Sequence, residues 1–473
     1  MASPNISFDQ IPSSNRKPGV YMEFNAKLAV RTLPSNAQRL LILAPMLATG
    51  TAPADSVTLV FSDEQAATLL GRGSFGHLMV RAAIRAYRYA RISVMALADA
   101  GTGVAAAGTV TYATNSTSAG SVTVNVGAGS VTVPVASGAT PTEIAAAVKA
   151  EIDKQVNWPV TATVNAGVLT LTAKNKGTLG NSIKVSAIND VTGTTVAVVA
   201  MTGGLNDPDL STKLPLIFTA SDEILLTPWA NQTALTAVRT HVTDRSGPLE
   251  QRGAVVAYAT TGTLSAATTL AGQINHERFT GALLPDTVSV PSDLAAAYAA
   301  VISSEEDPAR PLNGLHLVDI VPPPQASRLG RVEQETCLAN GVTPLEVGPG
   351  ERVQIVRAIT TYTLNPAGVT DIAWLDLTTI RTMDYVRKAC RERVALRFPR
   401  DKLSARTPAK VRSELLDVLV KLEELEIVEE VEANKDGLIV ERDSQDPNRL
   451  NAKIPVDVVN GLHVVAGRLD LLL

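Results

Sequence analysis

Strand-like apolar runs alternate with helical stretches on both sides of one long, weakly charged segment. That interruption constrains the fold of the 473-residue chain more than any other feature. Before it come "RLLILAP", "SVTLVF" and "RISVMALA", with helical "SDEQAATLL" and "FGHLMVRAAIRAYRYA" between them. After it come "EILLTPW", "GAVVAYAT" and "GLHLVDI", separated by helical "TLSAATTLAGQI" and "PSDLAAAYAAVISS". The segment itself, residues 100–210, is dense in Gly, Thr, Ala and Val. In it, "SVTVNV" and "SVTVPV" flank a "GAG" turn and read as a β-hairpin. "TPTEIAAAVKAEID" reads as a helix with Thr140 as N-cap and Pro141 at its first position, and "VTATV", "VLTLTA" and "IKVSAI" read as strands. A chain this long exceeds one core. The expectation is an α/β (α+β) multidomain protein: a core built from residues 21–99 and 211–330, with an inserted β-rich peripheral module at 100–210.

From about residue 331 charged residues become frequent, the pattern of a solvated or partner-facing surface, and residues 331–460 read as a further domain. Helix 379–397 places Ile380, Met383, Val386, Cys390 and Val394 on one stripe and Arg381, Lys388 and Arg391 on another face. A second helix takes Thr407 as N-cap and Pro408 as its first residue, buries Val411, Leu415, Leu419 and Leu422, and runs into the acidic "EELEIVEEVE". The chain then ends on Leu469, Leu471 and Leu473 with Arg468 and Asp470 between them, the alternation of a half-buried strand. An apolar strand with an open edge invites aggregation unless something covers it, so some sheet must take it in.

Chemistry is hard to find. The net charge of −4 and 4% aromatics leave neither a basic footprint nor a stacking platform for nucleic acid. The N-terminus has no secretory pattern, no stretch reads as a membrane span, and two cysteines, Cys337 and Cys390, fit a reducing compartment. "GRGSFG" supplies Gly71, Gly73 and Gly76 in the spacing of a dinucleotide fingerprint, with Asp99 downstream. The fingerprint needs a strand leading into its glycines, whereas helical 63–70 precedes these, so Gly71 reads as a helix C-cap. The five histidines show no ligand spacing. The reading is no enzyme, no catalytic residues, no metal and no cofactor, with a nucleotide-binding enzyme as the alternative.

The runs "ARPLNGLHLVDIVPPP" and "CLANGVTPLEVGPGERVQIVRAITTYTLNPAGVTDIAWLDLTTIRTMDYVRKACRERVALRFPRDKLS" resemble the C-terminal half of contractile tail sheath proteins of the Mu-type myophage family. "VRAITTYTLNPAG" is the most specific part, supported by "WLDLTTIRTMDYVR" and "RFPRDKL". The N-terminal "ISFDQIPSSNRKPGVYMEFN" and "LLGRGSFGHLM" are similar to the same family, and the resemblance covers residues 5–98 and about 211–473. It implies a virion protein assembled in the host cytoplasm, a homo-oligomer of helically stacked hexameric rings around a tail tube protein, contacting baseplate and tail terminator proteins. The sheath contracts to drive the tube through the host envelope, with no membrane insertion of its own. An infectious phage and a phage-derived tailocin fit equally. The resemblance further implies that an N-terminal arm (1–20, with Ile6 and Phe8 on its strand) and a C-terminal arm (461–473, with Leu469, Leu471 and Leu473) add strands to neighbours. It also places the 331–460 domain against the tube; the basic face of helix 379–397 motivates the expectation that Arg381, Lys388 and Arg391 meet acidic groups there, the alternative being that the 408–425 helix or the acidic 423–432 segment faces inward.

Overall fold

In the computed structural model residues 14–22 and 33–472 are described. The chain forms two compact units, one of residues 36–385 with 426–429 and 457–473, the other of residues 1–35, 386–425 and 430–456. The first unit opens with β1 (Arg39–Met46), β2 (Val57–Val60), α1 (Asp63–Leu70), α2 (Phe75–Ala86) and β3 (Arg91–Ala98). The inserted module follows with β4 (Ala107–Ala113), β5 (Gly120–Val126), β6 (Gly129–Val135), α3 (Pro141–Asp153), β7 (Val160–Asn165), β8 (Val168–Ala173), β9 (Val185–Asn189) and β10 (Thr195–Thr202). The chain returns through α4 (Leu210–Lys213), β11 (Ile224–Leu226), α5 (Gln232–Ser246), β12 (Val255–Thr260), α6 (Leu264–Ile274), β13 (Phe279–Leu283), α7 (Pro291–Ser304), α8 (Arg331–Ala339), β14 (Thr343–Gly348) and β15 (Arg352–Ile355).

The core is an eight-stranded sheet in the order β15-β14-β13-β12-β11-β1-β3-β2, parallel except where β15 and β2 pair antiparallel at its edges. In β1 every residue after Arg39 is buried. Leu40, Ile42 and Ala44 join the cluster that includes Met79 of α2 and Leu294 of α7, whereas Leu41 and Leu43 join Leu235, Val238 and Val242 of α5. Side chains alternate across a strand, so a strand covered on both faces must be apolar throughout. Each fully buried leucine contributes about 1.5–3 kcal/mol relative to exposure. Helix starts are set locally: Ser62 Oγ accepts from Gln65 N at 3.2 Å and Ser74 Oγ from His77 N at 3.0 Å. Gly71 follows α1 at φ 85, and a Cβ there would lie 2.8 Å from Leu47 Cβ. The glycines of "GRGSFG" thus end one helix and lead into the next.

Among the described residues the module strands pair only with one another, in sheets β10-β4-β8-β7 and β6-β5-β9. Thr140 and Glu143 form a reciprocal capping box at α3. The module is docked closely on the core: Phe75 and Val290 from the α/β part are buried in its apolar cluster. Asn175 accepts from Phe75 N (3.0 Å) and donates to Met46 O (3.1 Å) and Asp99 (3.0 Å). Asp99 also accepts from Lys176 N at 2.9 Å, so this carboxylate is spent on the seam.

Three expectations need correction. "GLHLVDI" is no strand; only an isolated bridge joins His316 to Gln354. The boundary expected at 331 separates nothing, because β14 continues the parallel sheet beside β13 (Ala282↔Thr343) and β15 folds back on β14. Surface charge in this stretch says nothing about a strand edge being available to it. Thr407 is the first residue of its helix rather than the cap; its hydroxyl donates to Lys402 O (2.8 Å) and accepts from Ser404 N (2.9 Å).

The rest of the chain supplies α9 (Leu377–Arg397), α10 (Thr407–Glu424), β16 (Val428–Glu429), α11 (Val431–Asn434), β17 (Ile439–Arg442), β18 (Leu450–Lys453) and β19 (Asp457–Val458). In the second unit Arg393 bonds both Glu414 (3.2 Å) and Asp417 (2.6 Å) across α9 and α10. Val411, Leu415, Val418, Leu419 and Leu422 of α10 are buried. Among the described residues hairpin β17–β18 forms a sheet of two strands. No helix among the described residues is long and apolar enough to cross a membrane.

Candidate functional site

The C-terminal segment is held to its unit at two points. β19 pairs with β16 (Val428↔Val458). Next, His463 is anchored: Asn313 Nδ2 donates to its Nδ1 at 2.8 Å, and its Nε2 lies 3.5 Å from Asp376 Oδ1. Arg357 grips the same Asp376 with a bidentate fork, both bonds 2.8 Å. Burial, then the Arg357 cation, holds the His463 pKa below its ordinary value, with Asp376 opposing. Beyond this anchor no hydrogen bond to another element holds the chain among the described residues. Leu469 is 101% exposed and Leu471 84% exposed, and residues 459–472 form no strand in this chain. At the other end, residues 14–22 lack regular structure and are exposed. Ile6, Phe8 and Leu473 lie outside the described residues.

The anchor grows from the motif that carried the resemblance. Within "VRAITTYTLNPAG", Thr361 donates through its N–H to Phe279 O (2.8 Å) and through its hydroxyl to His276 O (3.1 Å). Asn275, left-handed at φ 39, accepts from Thr363 N (2.8 Å) and Leu364 N (3.0 Å). Thr360 donates to Trp374 O at 2.6 Å. These bonds tie the segment from β15 to α9 onto β13, which sets Arg357 opposite Asp376. Sequence reasoning missed Arg357, Asp376, Asn313 and His463. The first two sit inside the quoted motifs, but nothing local announces that they meet His463, a contact spanning 87 residues or more (463 − 376).

The basic face expected on α9 does not hold together. Arg381 is buried and donates to Glu305 O at the end of α7. Burial pushes its pKa down to about 10, with Glu305 and Asp307 opposing. Its long apolar stem and single head suit a helix C-terminus, and the residue is unavailable to an external partner. Lys388 is half-buried and donates to Ser35 O at 2.8 Å, and Arg391 is exposed. On the apolar stripe Ile380, Val386 and Cys390 are buried, with Met383 and Val394 half-buried. Both thiols are buried, which pushes Cys337 and Cys390 up to about 11 and away from the reactive thiolate.

The family model of the phage tail sheath protein central domain matches residues 203–361, and that of the phage tail sheath C-terminal domain matches residues 369–471. The Mu-like prophage FluMu tail sheath protein of Haemophilus influenzae is 32% identical over 488 residues, spanning 99% of this chain and 100% of that protein. The crystal structure of a sheath tail protein from Desulfitobacterium hafniense has a similar fold, with TM-score 0.53 and 13% identity over 94% of this chain and 97% of that one. So does the PVC sheath complex of an extracellular contractile injection system in its contracted state, with TM-score 0.50 and 11% identity over 97% of this chain and 98% of that one.

Proposed function

Because the chain belongs to the phage tail sheath family, we propose that it polymerises as hexameric rings stacked helically around a tail tube protein, and that shortening of this sheath drives the tube through a host envelope. The sheath would be assembled in the host cytoplasm, become part of a virion or a tailocin, and end on baseplate and tail terminator proteins. The observation that carries this reading is the C-terminal arm, an alternating apolar segment exposed past a firm anchor; separately, the hairpin β17–β18 pairs with no further strand among the described residues. A two-stranded sheet is marginal alone, and a strand added from a neighbour would complete it with main-chain bonds while the leucines set the register. From His463 the remaining residues extend about 30 Å at about 3.3 Å each, far enough to reach an adjacent copy. The N-terminal arm, with Ile6 and Phe8, would serve the same mesh. Arg391, exposed on α9 with Lys388 beside it, is the remaining candidate for a tube contact. The module is read as a peripheral addition, since its strands pair only among themselves.

Removing residues 461–473 tests the mesh. The truncated chain is expected to sediment as a folded monomer and melt close to the full-length protein, while tubes disappear from electron micrographs. Persistent tubes, or a melted unit, would refute it.

A further inference from the structure

Helix α10 is charged against its own dipole. Peptide dipoles leave a helix positive at its N-terminus and negative at its C-terminus, so cations at the start and carboxylates at the end are both unfavourable. Yet Arg400, Lys402, Arg406 and Lys410 crowd the start of α10, all exposed, against the single acid Asp401. Glu424 closes the helix, and Glu430 and Glu432 lie just beyond it, also exposed. At the acidic end Glu432 pairs with Lys435. Among the described residues Arg406, Lys410, Glu424 and Glu430 make no salt bridge, whereas the charges on the α9 side do: Arg393 with Glu414 and Asp417, and Lys421 with Asp417 at 2.7 Å. Glu430 moreover sits at φ 54, the left-handed region where glycine is at ease and other residues are strained. An acidic side chain stands where the backbone conformation favours a glycine.

The opposed charges lie along one line. Arg406, Lys410, Ser413, Val420 and Glu424 recur at helical spacing on the exposed face, basic at the start and acidic at the end; Asp417, half-buried in the same row, is already paired with Arg393 and Lys421. That line is about 27 Å long at about 1.5 Å per residue. A partner bearing one sign of charge satisfies one end of it and repels the other. A second copy of the same surface satisfies both.

We propose that α10 is a two-ended electrostatic contact between copies of this chain, the basic end of one copy meeting the acidic end of the next. Such a contact is heterologous, so it propagates into rings or filaments instead of closing as a dimer. It rests on the reading that the chain self-assembles, and it adds to the strand mesh a salt-sensitive term that sets direction.

The test uses charge reversal on the full-length chain, followed by sedimentation velocity, electron microscopy and thermal melting. One variant carries Arg406→Glu and Lys410→Glu; the other carries Glu424→Lys and Glu430→Lys. Each alone is expected to need more than about tenfold higher concentration to assemble, the cost of turning an attractive charge pair repulsive. Neither should melt earlier than the unmodified protein, since both reversals suit the helix dipole. An equimolar mixture is expected to recover assembly, because every contact between unlike copies is again attractive. A chain carrying all four changes should recover it too. Raising salt from about 50 to about 500 mM should weaken assembly of the unmodified chain and of the mixture alike. Variants that assemble like the unmodified chain, a mixture that fails to recover, or association that stops at dimers would each overturn the contact while leaving self-assembly intact. Loss of assembly only in the presence of a tube protein would assign the charges to that partner and overturn it as well. An unmodified chain that stays monomeric at every salt concentration would sink both this contact and the self-assembly on which it rests.

Discussion

The eight-stranded sheet and the hairpin β17–β18 are both β structure, yet they deal with their unpaired edges in opposite ways. At β2, the outer strand of the large sheet, Gln65 reaches back from α1 like a peptide group: its amide accepts from Phe61 N at 2.9 Å and donates to Leu59 O at 3.4 Å. A side chain thus occupies an edge that would otherwise recruit another strand. The hairpin has no such guard among the described residues, and the apolar arm Leu469–Leu471 is left without a sheet of its own. The difference teaches where each free energy resides. The large sheet buries the chain's own apolar side chains, whereas the hairpin leaves its edges, and the arm its leucines, outside any such core.

Substitutions that separate stability from assembly sharpen this comparison. The largest effect is expected in the sheet. Phe279 of β13 is fully buried, and Phe279→Ala should cost about 3–5 kcal/mol, read as a fall in the denaturation midpoint of the monomer at unchanged slope. Little or no shift would mean that β13 is not central to the core.

A smaller effect is expected from pH. His241 of α5 is buried, its ring edge-on to Phe218 at 6.0 Å, and burial followed by the nearby Arg245 pushes its pKa down to about 4. In the unfolded chain a histidine titrates near about 6.5. The unfolded state therefore takes up the proton first. The stability is fully present above about 6.5 and is lost as pH falls from there toward about 4, by about 2–3 kcal/mol. Other groups titrate over the same range, so the signature is the difference between the original chain and His241→Gln. The loss of stability between pH 7 and pH 4.5 should shrink in the variant, and equal slopes would remove His241 from the account.

The smallest effect on stability is expected at the arm. Leu469→Ser with Leu471→Ser removes two exposed leucines and should change monomer stability by less than about 0.5 kcal/mol, while assembly is lost. A large drop in monomer stability would place the leucines in this chain's own core and erase the contrast between the two regions.

What the sequence determined by itself was local. Ser62, Ser74 and Thr140 begin helices, Gly71 ends one, and the weakly charged alternation of 107–202 makes a β module, because caps, turns and periodicity act within about four residues. The same local rules read Gly71 of "GRGSFG" as a helix C-cap. Tertiary structure decided what depends on distant partners. It brought β14 beside β13, left "GLHLVDI" outside the sheet although its apolar pattern matched a strand, and turned Arg381 inward to Glu305 across 76 residues. At the candidate site the alternating leucines were legible, and their anchor was not, because Arg357, Asp376 and His463 become neighbours only after the chain has folded around Thr361 and Asn275. Periodicity tells which side of a strand is apolar; whether another strand lies beside it depends on where the rest of the chain, or another copy, comes to rest.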